Sequence, residues 1–168
     1  MSKLTIKPKT ITLRPRRDSD EAFLRKAYES SREEELEHVL WENSMQRQAF
    51  LDHQFNAQDT HLKNFYTDLE YHIIESEGKP IGRLALEWQK DHLHIVDLII
   101  ITEFRKQRIG SAIMEAIISE VDKRGISSAV MYEKWKPYNE KFYETYGFKT
   151  TKEYPMHFYM EREKKLKM

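Results

Sequence analysis

The chain has 168 residues, enough for one domain with its own hydrophobic core, and we expect that domain to span residues 1–168. Its 28 basic and 28 acidic side chains give a formal net charge of zero, which argues against a nucleic-acid or membrane partner held by overall charge. The chain has no cysteine, so disulfides, thiolate nucleophiles and cysteine-ligated zinc are excluded. No apolar stretch approaches the roughly 20 residues that span a bilayer. The start of the chain lacks the apolar segment of a signal peptide, and we expect a cytoplasmic location.

The first half of the chain is predicted to hold one strand and two helices. Apolar residues alternate in Ile11–Arg16, which predicts a strand, and Pro15 favours a position at the edge of a sheet. Asp18 or Ser19 is a candidate cap for the helix that follows. A longer helix from Met45 to Phe65 is predicted from apolar residues that recur at helical spacing.

The second half changes to strands separated by turns. Three antiparallel strands, a helix, a strand, a helix and one or two final strands are predicted, in that order, at Tyr71–Glu75, Ile81–Trp88, His92–Ile101, Ile109–Lys123, Ser127–Tyr132, Pro137–Thr145 and Phe148–Met160. The strand–helix–strand unit from His92 to Tyr132 should place its two strands in parallel. The predicted fold class is therefore α/β (α+β), with a central mixed, mostly antiparallel sheet flanked by helices.

A basic loop leads from the third of these strands into the helix that begins at Ile109. Backbone N–H groups at a helix start carry partial positive charge and suit a phosphate group. Gly110 lets a ligand approach the backbone closely, and Ser111 adds a hydroxyl donor. Positive charge comes from Arg105, Lys106 and Arg108. The alternative is a solvated connection whose helix needs a small residue for packing.

The segment Arg105–Ile113 (RKQRIGSAI) resembles motif A of the GNAT superfamily of N-acetyltransferases, written Gln/Arg-x-x-Gly-x-Gly/Ala. The likeness has two registers. One uses Arg105, Arg108 and Gly110, and it places Arg108 where a glycine is usual. The other uses Gln107, Gly110 and Ala112. The first register is preferred because the flanking residues then align with the common form of the motif, and it leaves Arg108 either to crowd a pyrophosphate or to pair with it.

A second motif, Tyr143–Phe148 (YETYGF), is similar to another signature of the same superfamily and lies at the expected distance downstream. The opening Ile11–Asp20 resembles the usual first strand, and Glu35–Gln58 resembles bacterial and phage-type members. The chain is therefore identified as a member over Ile11–Met160, which implies the GNAT acyl-CoA N-acyltransferase fold.

The resemblance implies an N-acetyltransferase (EC 2.3.1.-) that transfers the acetyl group of acetyl-CoA to a primary amine by direct attack in a ternary complex. Tyr143 matches the tyrosine that protonates the coenzyme A sulfur, and a phenol, with a pKa of about 10, can donate at neutral pH. Tyr146 is the possible substitute, and Lys136 stands where an asparagine is often found. The implied cofactor-binding residues are Leu98, Ile99, Ile100, Arg105, Lys106, Gln107, Arg108, Ile109, Gly110, Ser111, Ala112 and Tyr143. Of these, Leu98–Ile100 would bind the pantetheine arm through backbone groups, and the N–H of Leu98 or Ile99 would polarise the thioester carbonyl.

The general base is the least defined part of this chemistry. The candidates on the central strands are Glu87, Asp97, Glu133 and His94. Asp97 is favoured as the second catalytic residue because an acid inside an apolar strand needs either a partner or a task. His92 and His94 would share one face of a strand, but no third ligand is evident, and no metal is predicted.

The acceptor is expected to be a small-molecule or protein amine, and a homodimer is possible. An acidic lip at Glu33–Glu37 would favour a cationic amine. Two other functions remain open. One is a GNAT-like module that binds acyl-CoA without turnover, as a sensor or a phage accessory protein. The other is a nucleic-acid-binding domain that uses Phe104, Tyr132 and Trp135 for stacking, although the neutral charge argues against it.

Overall fold

The computed structural model describes residues 4–166, so both ends of the predicted domain, 1–3 and 167–168, lie outside the described residues. The order of helices and strands is the predicted one. The elements are β1 (Ile11–Pro15), α1 (Glu21–Leu36), α2 (Ser44–Phe65), β2 (Leu69–Ser76), β3 (Lys79–Gln89), β4 (His92–Ile100), α3 (Ile109–Arg124), β5 (Ser127–Glu133), α4 (Tyr138–Thr145), β6 (Lys149–Glu153) and β7 (His157–Arg162). Short 3-10 turns lie at Asp18–Asp20 and Thr102–Phe104.

The seven strands form one sheet in the order β1-β2-β3-β4-β5-β7-β6. Every neighbouring pair is antiparallel except β4 and β5, which are parallel and are joined through α3, as predicted. β1 lies at one edge, where Pro15 costs no ladder hydrogen bond. The mixed, mostly antiparallel sheet flanked by helices is confirmed.

Helices cover both faces of the sheet. Successive residues of a strand point to opposite faces, so Ile73 packs with α1 and α2 whereas Ile74 packs with the cluster that contains α3. The predicted apolar stripe of α3 is buried throughout, at Ile109, Ala112, Ile113, Ala116, Ile117 and Val121. Among residues 4–166, no helix is long and apolar enough to cross a membrane.

β4 and β5 pair over only four residues of each strand and then part. Their register runs from His92 with Ser127 to Ile95 with Val130, although β4 continues to Ile100 and β5 to Glu133. The register between β3 and β4 shifts at the same place, where Val96 is an extra residue on β4. A bulge bends its strand and increases the local twist, so Val96 turns β4 away from β5 and opens a cleft in the sheet.

The start of α1 differs from the prediction. Neither Asp18 nor Ser19 caps the helix, because both lie in the preceding 3-10 turn, and Asp20 is the N-cap residue. The Asp20 carboxylate accepts two hydrogen bonds from Arg14, at 2.8 and 2.7 Å, and one from the backbone N–H of Arg17 at 2.7 Å. α1 also extends to Leu36, so the acidic lip predicted at Glu33–Glu37 is largely helical.

We expect Asp20→Asn to destabilise the protein at neutral pH by about 2 kcal/mol. The Arg14 guanidinium, assisted by the Arg17 N–H, lowers the pKa of the Asp20 carboxyl from 3.8 to about 2. A group whose pKa is lower in the folded state stabilises above its unfolded pKa, and this stability is lost as the pH falls from about 4 to about 2. Urea unfolding across that range should show this loss in the wild type and a flatter curve in Asp20→Asn. Asp18→Asn, at an exposed position, is the control. An equally large loss of stability in Asp18→Asn would show that the effect does not come from the pairing of Asp20 with Arg14.

Candidate active site

The edge of β4 that faces the cleft carries backbone groups beyond the last pair with β5. The N–H of Ile101 donates to Ile81 on β3 at 2.9 Å. Because backbone groups of successive strand residues point to opposite sides, Ile99 also faces β3, whereas Leu98 and Ile100 face the cleft. An extended ligand arm can add to this edge as a further strand would.

The N-terminal turn of α3 lies beside this edge. The first helical hydrogen bond runs from the N–H of Ala112 to the carbonyl of Arg108 at 3.0 Å. The N–H groups of Ile109, Gly110 and Ser111 come before it and therefore have no carbonyl acceptor within the helix. Lys106 and Arg108 both have a left-handed backbone, with φ of 61° and 60°. The left-handed conformation explains why a glycine suits position 108, and the chain forms the turn there without one.

The basic residues of the loop differ in what their side chains contact. Arg105 is turned into the protein, where Nε donates to the Ile100 carbonyl at 2.8 Å and Nη2 to the Ser30 carbonyl at 3.1 Å. Its guanidinium therefore ties the end of β4 to α1. Lys106, Gln107 and Arg108 are exposed on the surface of the loop.

Two cavities meet at the cleft. The first, which we call the α3 cavity, has a volume of about 520 Å³ and lies between β4, the basic loop, α3 and α4. The second, the α1–α2 cavity, has a volume of about 640 Å³ and lies between α1, α2 and the parted ends of β4 and β5. Both are lined by Leu98, Ile100, Arg105, Tyr138, Asn139 and Tyr143. Tyr143 thus stands at the junction of the two cavities.

The local fold fixes the Tyr143 ring. α4 ends at Thr145, Gly147 follows it with a φ of 94°, and the chain then turns Phe148 into the core, where it is 1% exposed. The ring of Phe148 packs edge-on against Tyr143 with centroids 5.9 Å apart. Burial, reinforced by the charges of Asp97 and Glu133, raises the pKa of the Tyr143 phenol. The phenol therefore stays protonated to well above neutral pH, and it has a proton to donate at neutral pH.

Asp97 has the partner that its place in an apolar strand requires. Its Oδ2 accepts from Nε of Arg83 at 2.5 Å. Arg83 is 1% exposed and also donates to the Tyr71 hydroxyl at 3.1 Å and to Gln58 Oε1 at 2.6 Å. Sequence reasoning missed Arg83, although a cation inside the apolar run of β3 is itself a signal that a counter-ion lies opposite.

The remaining predicted residues are spread over the cleft and its surroundings. Lys136 lines the α1–α2 cavity and donates to the Ser31 carbonyl at 2.9 Å, and a carboxylate oxygen of Glu35, in the acidic lip, lies 3.9 Å from its Nζ. His92 is hydrogen-bonded to Ser127 at 2.8 Å. Tyr132, considered as a stacking group for nucleic acid, is only 3% exposed and packs against Phe158, so that role is wrong for it.

The parted strands and the N-terminal turn of α3 together form a cleft that suits a ligand with an extended arm and an anionic group. The family model for the acetyltransferase (GNAT) domain matches residues 26–157. The chain belongs to the GNAT family, and it is accordingly an N-acetyltransferase enzyme. No curated protein sequence matches the chain at a significant level.

Solved structures share the fold at low sequence identity. The PaiA N-acetyltransferase of Thermoplasma acidophilum, in complex with coenzyme A, has a TM-score of 0.67 at 17% identity, over 91% of this chain and 98% of its own. A GNAT acetyltransferase of Elizabethkingia anophelis with acetyl-CoA bound has a TM-score of 0.60 at 15% identity, over 92% and 99%. The ribosomal-protein-S18-alanine N-acetyltransferase of Escherichia coli has a TM-score of 0.60 at 16% identity, over 94% and 96%.

Proposed function

We propose that the protein transfers the acetyl group of acetyl-CoA to a primary amine of a small molecule or a protein, by direct attack in a ternary complex. The observation that carries this proposal is the place of Tyr143 at the junction of the two cavities. A thioester bound in the α3 cavity and an amine bound in the α1–α2 cavity would meet beside its phenol. Complexes with coenzyme A or acetyl-CoA among the structural relatives support the choice of co-substrate.

The chain has groups suited to each part of acetyl-CoA, which supplies an activated acetyl thioester when bound. The backbone groups of Leu98 and the N–H of Ile100, whose carbonyl already accepts from Arg105, suit the amides of the pantetheine arm. The N–H groups of Ile109, Gly110 and Ser111 suit the pyrophosphate. Of the two N–H groups considered for polarising the thioester carbonyl, that of Leu98 faces the cleft whereas that of Ile99 faces β3, so we assign this role to Leu98.

Tyr143 acts as the general acid. When the carbon–sulfur bond breaks, the departing sulfur needs a proton, and a neutral phenol beside it can donate one. The buried site keeps the phenol protonated, as the raised pKa indicates. Its hydrophobic surroundings, Phe142 and Phe148, hold the ring in place and keep water from it.

Arg108 pairs with the pyrophosphate in this proposal, since its side chain is exposed and the backbone turn forms despite it. We expect Arg108→Gly to weaken coenzyme A binding by roughly threefold to tenfold. The same change should stabilise the protein by about 1 kcal/mol, because it relieves a left-handed non-glycine residue. Calorimetric titration and urea unfolding measure the two effects.

Glu77→Gly is the matched control for Arg108→Gly, because Glu77 is also left-handed, with a φ of 50°, in the turn between β2 and β3. It should gain similar stability and leave coenzyme A binding unchanged. Tighter coenzyme A binding by Arg108→Gly would show that Arg108 crowds the pyrophosphate instead of pairing with it.

An acetylation screen tests the proposed function. The wild type is incubated with acetyl-CoA and, separately, spermidine, lysine, tryptamine and a peptide with a free N-terminal alanine, and released coenzyme A is measured with a thiol reagent. Coenzyme A release that depends on the amine, with an N-acetylated product seen by mass spectrometry, is the expected result. Release no faster than hydrolysis with every amine would contradict the proposal.

A further inference from the structure

Two carboxylates of the central strands line the α1–α2 cavity. Asp97 lies on β4 and Glu133 is the last residue of β5, so the parting of these strands separates them. Both are close enough to Tyr143 for their charges to act on its phenol. Both carboxylates thus lie near the proposed general acid, but their partners differ.

The Asp97 carboxylate is committed to Arg83. The Arg83 side chain is 1% exposed, and both its Nε and an Nη lie 2.5 Å from the same Asp97 oxygen. Its other contacts, the Tyr71 hydroxyl and the Gln58 amide oxygen, carry no full charge. If Asp97 took up a proton, a buried guanidinium would lose its counter-ion, which is costly. Asp97 is therefore a poor proton acceptor and serves to neutralise Arg83.

Neither of the other two candidates is among the charged groups that act on the Tyr143 phenol. His94 pairs in register with Ala129, before the strands part, and the charged groups that act on it are Glu87 and His92. Burial lowers the pKa of His94, so its imidazole is neutral at neutral pH. The ring lies beside that of Tyr66, with centroids 6.1 Å apart. Glu87 accepts a hydrogen bond from Gln89 at 3.1 Å, on the far part of β3.

Glu133 is half-buried at the mouth of the cleft. In the part of the chain that the structure describes, residues 4–166, its carboxylate has no ion pair and no side-chain hydrogen bond. Its backbone pairs with His157 of β7, whose side chain lines the same cavity. A carboxylate that is near the acid, open to the acceptor and without a counter-ion is suited to accept a proton.

We propose that Glu133 is the general base of the acetyl transfer and that Asp97 is a structural counter-ion, an assignment that rests on the proposed function. A bond forms between the acceptor nitrogen and the acetyl carbon, and the carbon–sulfur bond breaks. The nitrogen gives its proton to Glu133, and Tyr143 gives its proton to the sulfur. Glu133 then holds one proton more and Tyr143 one fewer, and exchange with solvent restores both.

The charged and titratable groups that line the cavity with Glu133 come from α1, β4, α4, β7 and the segments between elements. They are Tyr28, Arg32 and Glu35 of α1, Tyr66 after α2, His94 and Asp97 of β4, Arg105 of the basic loop, Lys136 before α4, Tyr138 and Tyr143 of α4, and His157 of β7. The cations among them are engaged: Arg32 with Glu35, Arg105 with two backbone carbonyls, and Lys136 with the Ser31 carbonyl. His157 lies beside Trp135, with ring centroids 6.4 Å apart.

The test compares Glu133→Gln, Asp97→Asn and the exposed Glu144→Gln, with spermidine and the other amines of the screen that the wild type acetylates. We expect Glu133→Gln to lower kcat by about 100-fold and to remove the carboxylate limb from the pH profile, with unchanged thermal unfolding and coenzyme A binding within about threefold. Asp97→Asn should lower the Tm by roughly 10 °C while keeping that limb. Glu144→Gln should match the wild type.

Each other outcome is decisive. A Glu133→Gln variant that keeps kcat within threefold of the wild type would overturn the assignment alone. So would loss of the carboxylate limb in Asp97→Asn with an unchanged Tm. If the wild type releases no coenzyme A with any of the amines, the proposed function fails, and the assignment fails with it.

Discussion

Tyr143→Phe is expected to lower kcat by about 100-fold to 1000-fold while acetyl-CoA binds with nearly unchanged affinity. The substitution removes only the hydroxyl, so the ring still packs against Phe148 at 5.9 Å and the fold is kept. Without the phenol, the departing sulfur must leave as a thiolate or take its proton from water. Steady-state coenzyme A release and calorimetric titration of acetyl-CoA measure the two quantities.

Tyr146→Phe is the matched control, because Tyr146 lies on the next turn of the chain and packs against Phe142 with ring centroids 5.5 Å apart. It should keep kcat within about twofold of the wild type. If Tyr146→Phe lost turnover while Tyr143→Phe retained it, Tyr146 would be the acid. A protein that binds acyl-CoA only as a sensor would show no turnover for either substitution to remove.

Gly82→Ala should cause the largest loss of stability in the sheet. A Cβ at Gly82 would overlap the carbonyl oxygen of Ile99 on β4, and a backbone atom cannot rotate away. The strands must separate at the place where β4 presents its free edge. We expect a loss of about 3 kcal/mol in the free energy of unfolding, measured by urea unfolding, and coenzyme A binding weakened at least tenfold.

Gly78→Ala is the matched control, because it replaces a glycine without the clash that a Cβ at Gly82 makes with β4. Gly78 has a φ of 80°, and a Cβ there meets nothing within 4 Å. Its replacement should cost only about 1 kcal/mol, from backbone strain, and should leave coenzyme A binding unchanged. Equal losses of coenzyme A binding in both variants would show that the free edge of β4 is not the binding element.

Much of the fold was predictable because its elements have strong local patterns. The α3 stripe and the alternation of β1 identify a helix and an edge strand without any tertiary information. The cap of α1 was mispredicted because Asp18, Ser19 and Asp20 are all good N-cap residues. The helix start is shifted by the 3-10 turn at Asp18–Asp20, and the Asp20 carboxylate binds Arg14 of β1, a contact that forms only in the folded chain.

Local motifs predict two parts of the candidate site. The turn before α3 and the tyrosine of α4 were both identified from their own segments, and the fold brings them to one cavity. The partner of Asp97 was not predictable in the same way, because Arg83 lies on a neighbouring strand and register decides which residues meet. The bulge at Val96, which parts β4 from β5, has no local signal in an apolar run.

Calorimetric titration of the wild type with acetyl-CoA tests the central claim most directly, with pantetheine, which lacks the pyrophosphate and nucleotide, as the comparison. The claim is that the free edge of β4 and the N-terminal turn of α3 bind the co-substrate together. Saturable binding of one acetyl-CoA per chain, with pantetheine at least 100-fold weaker because the N–H groups of Ile109–Ser111 lose their ligand, is the predicted result. No saturable binding of acetyl-CoA at high protein concentration would contradict it.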